Sequence, residues 1–356
     1  MNFVVRRGYA TRRAFLVVAR HALAAAATAA ISVAATDVAN AQNTSVRLSL
    51  DSKLEGPTAP FAVAIERGYY RAEGLEVTVD AGAGSIESLN RVASGNYDLG
   101  FADINALIKF RDANPQTPIK AVFVVYNRPP YAVVGRKSRG VAAPKDLEGK
   151  KLGAPAADVA YAAWPIFAQA NSIDVSKVTV ENIGFPVREP MLAAGQIDAL
   201  TGISFWSYIN LKERGVPADD IVVLLMADYG VNLYGNAIIV NPKFAAEKPE
   251  AVRGFLRAFL KGLKDTVKDP TAAVDSVIKR IEGTRKEVEL ERLQMALRDN
   301  ILTPEVKANG FGGVDPARLD RSVDQIALTY NFKVRPKAAD VFDERFLPSA
   351  ADRAVQ

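Results

Sequence analysis

Short β-rich runs alternate with helical patterns along most of this 356-residue chain, and this alternation restricts the fold more than any other feature. Apolar runs at 46–50, 119–126 and 131–134 predict strands, and an amphipathic run at 159–170 predicts a helix. Alternation of this kind is typical of α/β folds in which parallel strands are joined by helices. The sequence therefore predicts an α/β protein.

A Pro-rich break at 127–130 divides the alternating pattern into two blocks, and a mainly helical stretch follows from 249 to about 329. The length exceeds that of a typical single domain, so we expect two α/β lobes and a helical C-terminal tail. Ligands of open α/β sheets lie beyond the carboxyl ends of the strands. Two such ends facing each other predict a cleft between the lobes.

The N-terminus has the pattern of a secretory signal, with a basic stretch, an Ala-rich apolar run and a small-x-small site at 39–41. We expect residues 1–41 to be removed by cleavage after Ala41. Arg12 and Arg13 lie in a stretch similar to a twin-arginine signal, and an ordinary Sec signal or a retained anchor are the alternatives. Beyond this segment no run of ~20 apolar residues occurs, so we expect a mature chain that does not span a membrane.

Charge and composition exclude several classes of function. The chain carries 45 Lys and Arg against 40 Asp and Glu, but the predicted signal contains five of the arginines and one aspartate, so the remainder has a net charge of about +1. We find no clustered basic face, which argues against a nucleic-acid partner. The chain has no Cys, and its one His, His21, lies in the signal. We therefore predict no His–Cys metal site, no Ser–His–Asp triad, no cofactor and no catalytic role.

Five stretches carry a family resemblance. They are residues 60–70 (PFAVAIERGYY), 73–77 (EGLEV), 93–102 (ASGNYDLGFA), 146–153 (DLEGKKLG) and 193–199 (AAGQIDA). In this order they resemble the periplasmic substrate-binding proteins of ABC importers for nitrate, taurine, aliphatic sulfonates and the thiamine pyrimidine precursor. The resemblance covers roughly residues 46–277.

The resemblance implies the periplasmic-binding-protein type II fold, with two α/β lobes joined by two crossovers. Lobe one is expected at 43–128 plus 240–345 and lobe two at 129–239. It also implies an ABC permease and an ATPase as partners, a periplasmic location, and a monomer that captures a small polar organic molecule. We expect a sulfonate, an aromatic acid or a pyrimidine-like solute.

In lobe one, candidate ligand contacts lie in loops that follow predicted strands. Thr58 lies close to a helix start, and Ser85 follows Gly82 and Gly84, where a helix N-terminus favours a polar or anionic group. Asp103 lies where a strand leads into a helix. Helix capping is the alternative role for Ser85 and Asp103. Lys53 and Glu55 are interpreted as a pair that is either solvated or part of the site.

In lobe two, Asp158 precedes the predicted helix at 159–170 and again either caps it or contacts ligand. Arg188 offers a planar guanidinium to a carboxylate or sulfonate, with a surface Arg–Glu pair as the alternative. Trp206 is predicted as an aromatic wall, or else as part of the lobe packing. Tyr229 and Tyr234 approach the second crossover, where they either contact the solute or cover the hinge.

Two other functions remain open on the sequence. One is a binding module that serves a membrane sensor or another class of transporter. The other is an enzyme of the same fold that makes a pyrimidine, which the missing His and metal ligands disfavour.

Overall fold

Ten strands form two five-stranded sheets within residues 43–355, the part of the chain that the computed structural model describes. The predicted signal at 1–41 lies outside these residues. The strands are β1 (Thr44–Ser49), β2 (Leu75–Asp80), β3 (Leu99–Asp103), β4 (Lys120–Val124), β5 (Tyr131–Arg136), β6 (Lys151–Ala154), β7 (Thr179–Asn182), β8 (Ala199–Ile203), β9 (Ile221–Leu225) and β10 (Asn236–Val240).

Both sheets have the same plan. The first has the order β2-β1-β3-β10-β4, with β1 parallel to β2 and β3 and with β10 antiparallel to β3 and β4. The second has the order β7-β6-β8-β5-β9, where β5 is the antiparallel strand. The predicted α/β class is confirmed, and both sheets are mixed.

The chain passes between the sheets twice. It leaves the first sheet after Val124 and enters the second at Tyr131, and it returns between Leu225 and Asn236. Strand β10 pairs with β3 and β4, so it belongs to the first sheet. The expected lobe boundary between 239 and 240 therefore falls inside a strand of the first sheet. The sequence alone could not show which strands β10 pairs with. The remaining lobe limits stay predictions.

Helices cover the sheets and form most of the region after β10, as expected for the tail. They are α1 (Ala59–Glu66), α2 (Tyr69–Ala72), α3 (Ser85–Ala93), α4 (Ile104–Ala113), α5 (Val159–Ala170), α6 (Arg188–Ala193), α7 (Ser204–Glu213), α8 (Pro242–Glu247), α9 (Pro249–Lys268), α10 (Pro270–Ile278), α11 (Lys286–Ala296), α12 (Pro304–Asn309), α13 (Pro316–Ile326), α14 (Ala338–Val341) and α15 (Ala350–Arg353).

The longest helix, α9, shows how the tail joins the first sheet. Val252, Phe255, Phe259 and Leu263 recur at three- and four-residue intervals and are fully buried, which gives the helix one apolar face. The Phe259 ring packs 4.5 Å from the ring of Phe61 on α1, measured between centroids. The helical tail is thus part of the first hydrophobic core and does not form a separate domain.

Helix α7 is absent from the sequence prediction. Its sequence, SFWSYINLKE, mixes aromatic and β-branched residues and shows no clear apolar stripe. Tertiary packing stabilises it instead, because Phe205, Ile209 and Leu211 are buried. Among residues 43–355, none of the helices combines the length and the apolar character needed to cross a bilayer.

Candidate functional site

A cavity of about 260 Å³ lies where the carboxyl ends of strands from both sheets meet. This is the place at which open α/β sheets bind ligands. From the first sheet and its loops come Asp51, Ser52, Glu55, Pro57, Thr58, Gly84, Ser85, Phe101, Tyr126 and Asn236. From the second come Pro130, Ala157, Asp158, Val159, Phe185, Arg188, Ile203, Phe205 and Trp206.

Asp51, shortly after β1, is the centre of the polar wall on the first-sheet side. Its Oδ2 accepts hydrogen bonds from Ser85 Oγ at 3.1 Å and from Asn236 Nδ2 at 2.6 Å. Burial raises the pKa of Asp51 to about 6, although these two donors oppose the rise. Near neutral pH this carboxylate is therefore an acceptor that is poorly solvated by water.

Ser85 holds this wall together. Its Oγ also accepts the backbone N–H of Asp103 at 3.0 Å, so one hydroxyl joins the segments that follow β1 and β2 to the last residue of β3. Ser85 is the first residue of α3, and the N-cap position is Gly84, which has no side-chain cap and a φ of 112°. The capping alternative for Ser85 is therefore wrong, because the hydroxyl is directed to Asp51 and Asp103.

Glu55 and Trp206 connect the two sides of the cavity. Trp206 Nε1 donates to Glu55 Oε2 at 2.7 Å, and Arg292 Nη1 lies 4.0 Å from Glu55 Oε1. Burial raises the pKa of Glu55, and the charge of Arg292 opposes this rise. Thr58 closes the turn beneath, since its Oγ1 donates to the Glu55 carbonyl and accepts the Glu55 N–H, each at 2.9 Å.

On the second-sheet side, Arg188 and its acceptors form a buried ionic cluster. Arg188 Nε donates to Glu189 Oε1 at 3.0 Å, and Nη1 donates to Asp158 Oδ2 at 3.4 Å and to the Thr201 carbonyl at 3.1 Å. The Arg–Glu contact exists, as the sequence alternative proposed, but it is buried and not on the surface. Two carboxylates therefore offset Arg188, the one guanidinium among the described residues that line the cavity.

Gly202 makes room for this cluster. A Cβ built on Gly202 would lie 3.2 Å from Arg188 Cζ and 2.5 Å from Ser207 Oγ. The second of these distances is shorter than real Cβ contacts, so any side chain here would displace the cluster.

Two predicted residues are helix caps. Asp158 Oδ1 accepts the N–H of Ala160 at the start of α5, and its Oδ2 accepts Thr201 Oγ1 at 3.0 Å. Asp103 Oδ1 accepts the N–H groups of Asn105 and Ala106 at the start of α4. Burial raises the pKa of both carboxyls. Asp158 lines the cavity, whereas Asp103 lies behind Ser85 and lines a second cavity.

Tyr229 and Tyr234 lie outside the cavity. Tyr229 packs its ring on Phe167 at 6.0 Å between centroids. Tyr234 is fully buried and donates its hydroxyl to Glu305 at 2.8 Å, beneath the guanidinium of Arg318. Of the eight residues proposed from the sequence, the structure brings together Thr58, Ser85, Asp158, Arg188 and Trp206.

Sequence reasoning missed Asp51, Asn236 and much of the aromatic lining. Asp51 lies in a loop that the sequence marked, and its position directly after a strand was the available signal. Asn236 is paired with Asp103 across β10 and β3, so only strand pairing reveals that it reaches this edge of the sheet. Glu55 was considered only as one of a pair with Lys53, which does not line the cavity.

The chain matches the family described as NMT1/THI5 like over residues 57–273. It belongs to this family. It is 29% identical over 300 residues to the riboflavin-binding protein RibY of Chloroflexus aurantiacus, with 82% of this chain and 83% of that protein covered. It is 28% identical to the formylaminopyrimidine-binding protein of Halalkalibacterium halodurans, with 71% and 76% covered.

Another relative has the name of an enzyme. The 4-amino-5-hydroxymethyl-2-methylpyrimidine phosphate synthase of Schizosaccharomyces pombe is 25% identical over 220 residues, which cover 59% of this chain and 62% of that protein. In structure, the aliphatic sulphonate binding protein SsuA of Escherichia coli superposes with a TM-score of 0.66 at 13% identity, with 88% and 92% covered. The periplasmic-binding-protein fold and the family resemblance expected from the sequence are both confirmed.

Proposed function

We propose that this chain is the solute-binding component of an ABC importer and that its cavity takes a flat nitrogen heterocycle, neutral or cationic, that carries N–H donors. The observation that carries the proposal is a set of carboxylates, one buried and two partly buried, around a cavity with aromatic residues in its walls. The fold of the family and the position of the cavity between the two sheets support a binding role.

The charge balance favours a ligand that donates hydrogen bonds. Asp51, Glu55 and Asp158 line the cavity, and Arg188, the one cation in its lining within residues 43–355, is shared between Asp158 and Glu189. An anion such as nitrate or a sulfonate would meet the carboxylates of Asp51 and Glu55, and like charges repel more strongly where burial lowers the effective dielectric constant. An N–H donor would instead form a charge-assisted hydrogen bond.

The apolar lining favours a flat ring. Five aromatic residues line the cavity from both sides, namely Phe101, Tyr126, Phe185, Phe205 and Trp206. Aromatic rings stack on a planar heterocycle and bury its faces, while its edge remains free to bond the carboxylates. The printed names of the two binding-protein relatives, with riboflavin and formylaminopyrimidine, agree with such a ring.

Closure around the solute is the proposed mode of capture. The two sheets are joined by two links, and the Trp206–Glu55 hydrogen bond already crosses between them. Hinge bending at a few link residues is a known way for two lobes to close on a ligand. We propose the lobe limits of the sequence prediction, with the second boundary moved to Asn236.

We further propose that the chain is exported after loss of residues 1–41 and acts in the periplasm as a monomer that delivers its solute to a permease and an ATPase. The basic stretch, the Ala-rich run and the site at 39–41 support export, and Arg12 with Arg13 supports the twin-arginine route. The test is the N-terminal sequence of protein recovered from the periplasm, which we expect to begin at Gln42.

A synthase is the second candidate because several relatives have that name. Binding without catalysis is favoured because the cavity side chains are carboxylates, a paired guanidinium, hydroxyls and aromatic rings, and the one His of the sequence is His21. Mass spectrometry distinguishes the two. A binding protein returns 4-amino-5-hydroxymethyl-2-methylpyrimidine and riboflavin unchanged after incubation, whereas conversion of either would favour an enzyme.

Tryptophan fluorescence tests the location of binding. The chain has two Trp residues, Trp164 and Trp206, and only Trp206 lines the cavity. We expect riboflavin, used as the probe, to quench the emission of the Trp164→Phe variant strongly. The Trp206→Phe variant is the matched control and should bind more weakly with little quenching, since Trp164 lies outside the cavity. Equal quenching of both variants would contradict the proposed site.

A further inference from the structure

Helix α11 of the C-terminal tail lies directly against the loop that brings Glu55 to the cavity between the two sheets. Glu289 Oε2 accepts the backbone N–H of Gly56 at 2.6 Å, and a Cβ built on Gly56 would lie 2.0 Å from the Glu289 carbonyl oxygen. Only glycine allows the two backbones to approach so closely. The helix follows residues 57–273, which match the family, so the match does not include this support of the cavity wall.

Arg292 on α11 connects the tail to both partners of the hydrogen bond between Glu55 and Trp206. Its side chain is 14% exposed, and its Nη1 lies 2.5 Å from Glu289 Oε1 and 4.0 Å from Glu55 Oε1. Its Nη2 donates at 3.1 Å to Oδ1 of Asn210, which lies one turn after Trp206 on α7. One guanidinium thus reaches the cavity loop, the tail helix and a helix that follows the second sheet's β8.

The charges around Glu55 differ in how well water screens them. Arg292 and Glu289 face Glu55 from α11. Lys53 comes from its own loop and is exposed, so water screens its charge, whereas Arg292 is mostly buried and Glu289 is fully buried. Burial raises the pKa of Glu55, the charge of Arg292 opposes this rise, and the charge of Glu289 adds to it. Removal of the guanidinium would leave two carboxylates close together without the cation that now lies beside both.

We propose that Arg292 is a positioning residue of the binding site, which keeps Glu55 ionised and directed to the cavity so that Glu55 accepts an N–H of the ligand. This inference deepens the proposed function and rests on it for the nature of the ligand. Arg292 is not part of the cavity lining. Its replacement therefore alters affinity through the protonation of Glu55 and not through a lost contact with the ligand.

The emission of Trp206 reports the state of Glu55 without any ligand. In the Trp164→Phe background Trp206 is the one tryptophan of the chain, and its Nε1 donates to Glu55. We expect the emission to change as Glu55 loses its proton, with a midpoint about one pH unit higher in Arg292→Gln than in the parent. Arg292→Lys retains the positive charge and should keep the parent midpoint, and Glu55→Gln should remove the transition.

Two further variants separate charge from structure. Glu289→Gln retains an acceptor for the Gly56 N–H but removes the like charge beside Glu55, so its midpoint should shift downward. Arg298→Gln is the matched control, because Arg298 is exposed and paired with its neighbour in the sequence, and it should keep the parent midpoint. A loss of packing alone would not move the midpoint in opposite directions in Arg292→Gln and Glu289→Gln.

Titration with riboflavin at pH 6 and pH 8 tests the effect on binding, since riboflavin itself does not titrate in this range. Arg292→Gln should bind it about threefold more weakly than the parent at pH 6, where more of its Glu55 is protonated, and nearly as well as the parent at pH 8. Asp51 titrates near the lower pH in both proteins, so its effect cancels from the ratio of affinities.

The outcomes distinguish this inference from the proposed function. The positioning role is overturned if Arg292→Gln keeps the parent midpoint, if Arg292→Lys shifts it as far as Arg292→Gln does, or if the transition survives in Glu55→Gln. An equal loss of riboflavin affinity at both pH values would also overturn it. A shifted midpoint in a protein that binds no heterocycle would support the role of Arg292 and contradict the proposed function.

Discussion

Asp51 connects the chemistry of the cavity to the stability of the fold. Its carboxyl is partly buried, accepts hydrogen bonds from Ser85 and Asn236, and has a pKa raised from 3.8 to about 6. A raised carboxyl pKa means that the folded state holds the proton more tightly than the unfolded chain does. The contribution of Asp51 to stability is therefore present below about pH 4 and is lost as the pH rises through about 6.

Replacement of Asp51 by Asn should change the pH dependence of unfolding. At pH 7.5 the Asp51→Asn variant avoids a buried charge, so its free energy of unfolding should gain up to about 3 kcal/mol relative to the parent. At pH 4 the parent carboxyl is mostly protonated and the gain should shrink. Urea unfolding at both pH values measures this difference. A difference that is the same at both values would contradict the assigned burial of Asp51.

At the scale of single residues, the sequence indicated which loops contribute to the site but not which of their side chains line the cavity. Thr58, Ser85, Asp158, Arg188 and Trp206 were found because each lies near a strand end or a helix start. The roles of Arg188 and Ser85 depend on partners that are distant in sequence, such as Asp158 and Asp51. Such pairing becomes visible only when the strands have been assembled into sheets.

At the scale of elements, one residue of the tail fixes both links between the sheets. Arg318 on α13 donates from Nη2 to the carbonyls of Asn127 and Leu233, each at 2.8 Å. Its Nη1 donates to Asn127 Oδ1 and to Glu305 Oε2, and its Nε donates to Asn232 Oδ1. All five donors are used, so the tail holds Asn127 in the first link and Leu233 in the second.

Removal of the Arg318 side chain should destabilise the fold. In the Arg318→Ala variant the link carbonyls lose their donors and Glu305 loses its ion pair, so the free energy of unfolding should fall by about 3 kcal/mol. The control is Arg321→Ala on the same helix, where an exposed guanidinium lies 3.9 Å from Asp315 and should contribute less than about 1 kcal/mol. Urea unfolding of both variants checks this, and equal losses would contradict the bridging role.

The elements themselves were mostly predictable. The run at 159–170 coincides with α5, and the run at 131–134 lies within β5, because their apolar patterns and flanking breaks are clear. Helix α7 was missed because its packing, rather than its own sequence, makes it helical.

For the whole molecule, the positions of the charged residues say more about the ligand than the net charge does. The chain after residue 41 is nearly neutral, yet Asp51, Glu55 and Asp158 line one cavity among the described residues, where Arg188 is shared with Glu189 and Arg292 approaches Glu55 from behind the lining. These residues come from loops on both sheets, so no sequence window contains the acidic character. The two-lobe plan followed from the alternation and from the family motifs, but the preference of the cavity for donors rather than anions required the folded chain.

A calorimetric ligand panel on the purified protein is the most direct test. Riboflavin and 4-amino-5-hydroxymethyl-2-methylpyrimidine represent rings with donors, and nitrate, taurine and methanesulfonate represent anionic groups. We expect at least one of the heterocycles to bind with a Kd of about 1 μM or tighter and the three anionic solutes to give no heat at about 1 mM. Tight binding of nitrate or methanesulfonate, with no response to either heterocycle, would contradict the acidic, donor-selective cavity described above.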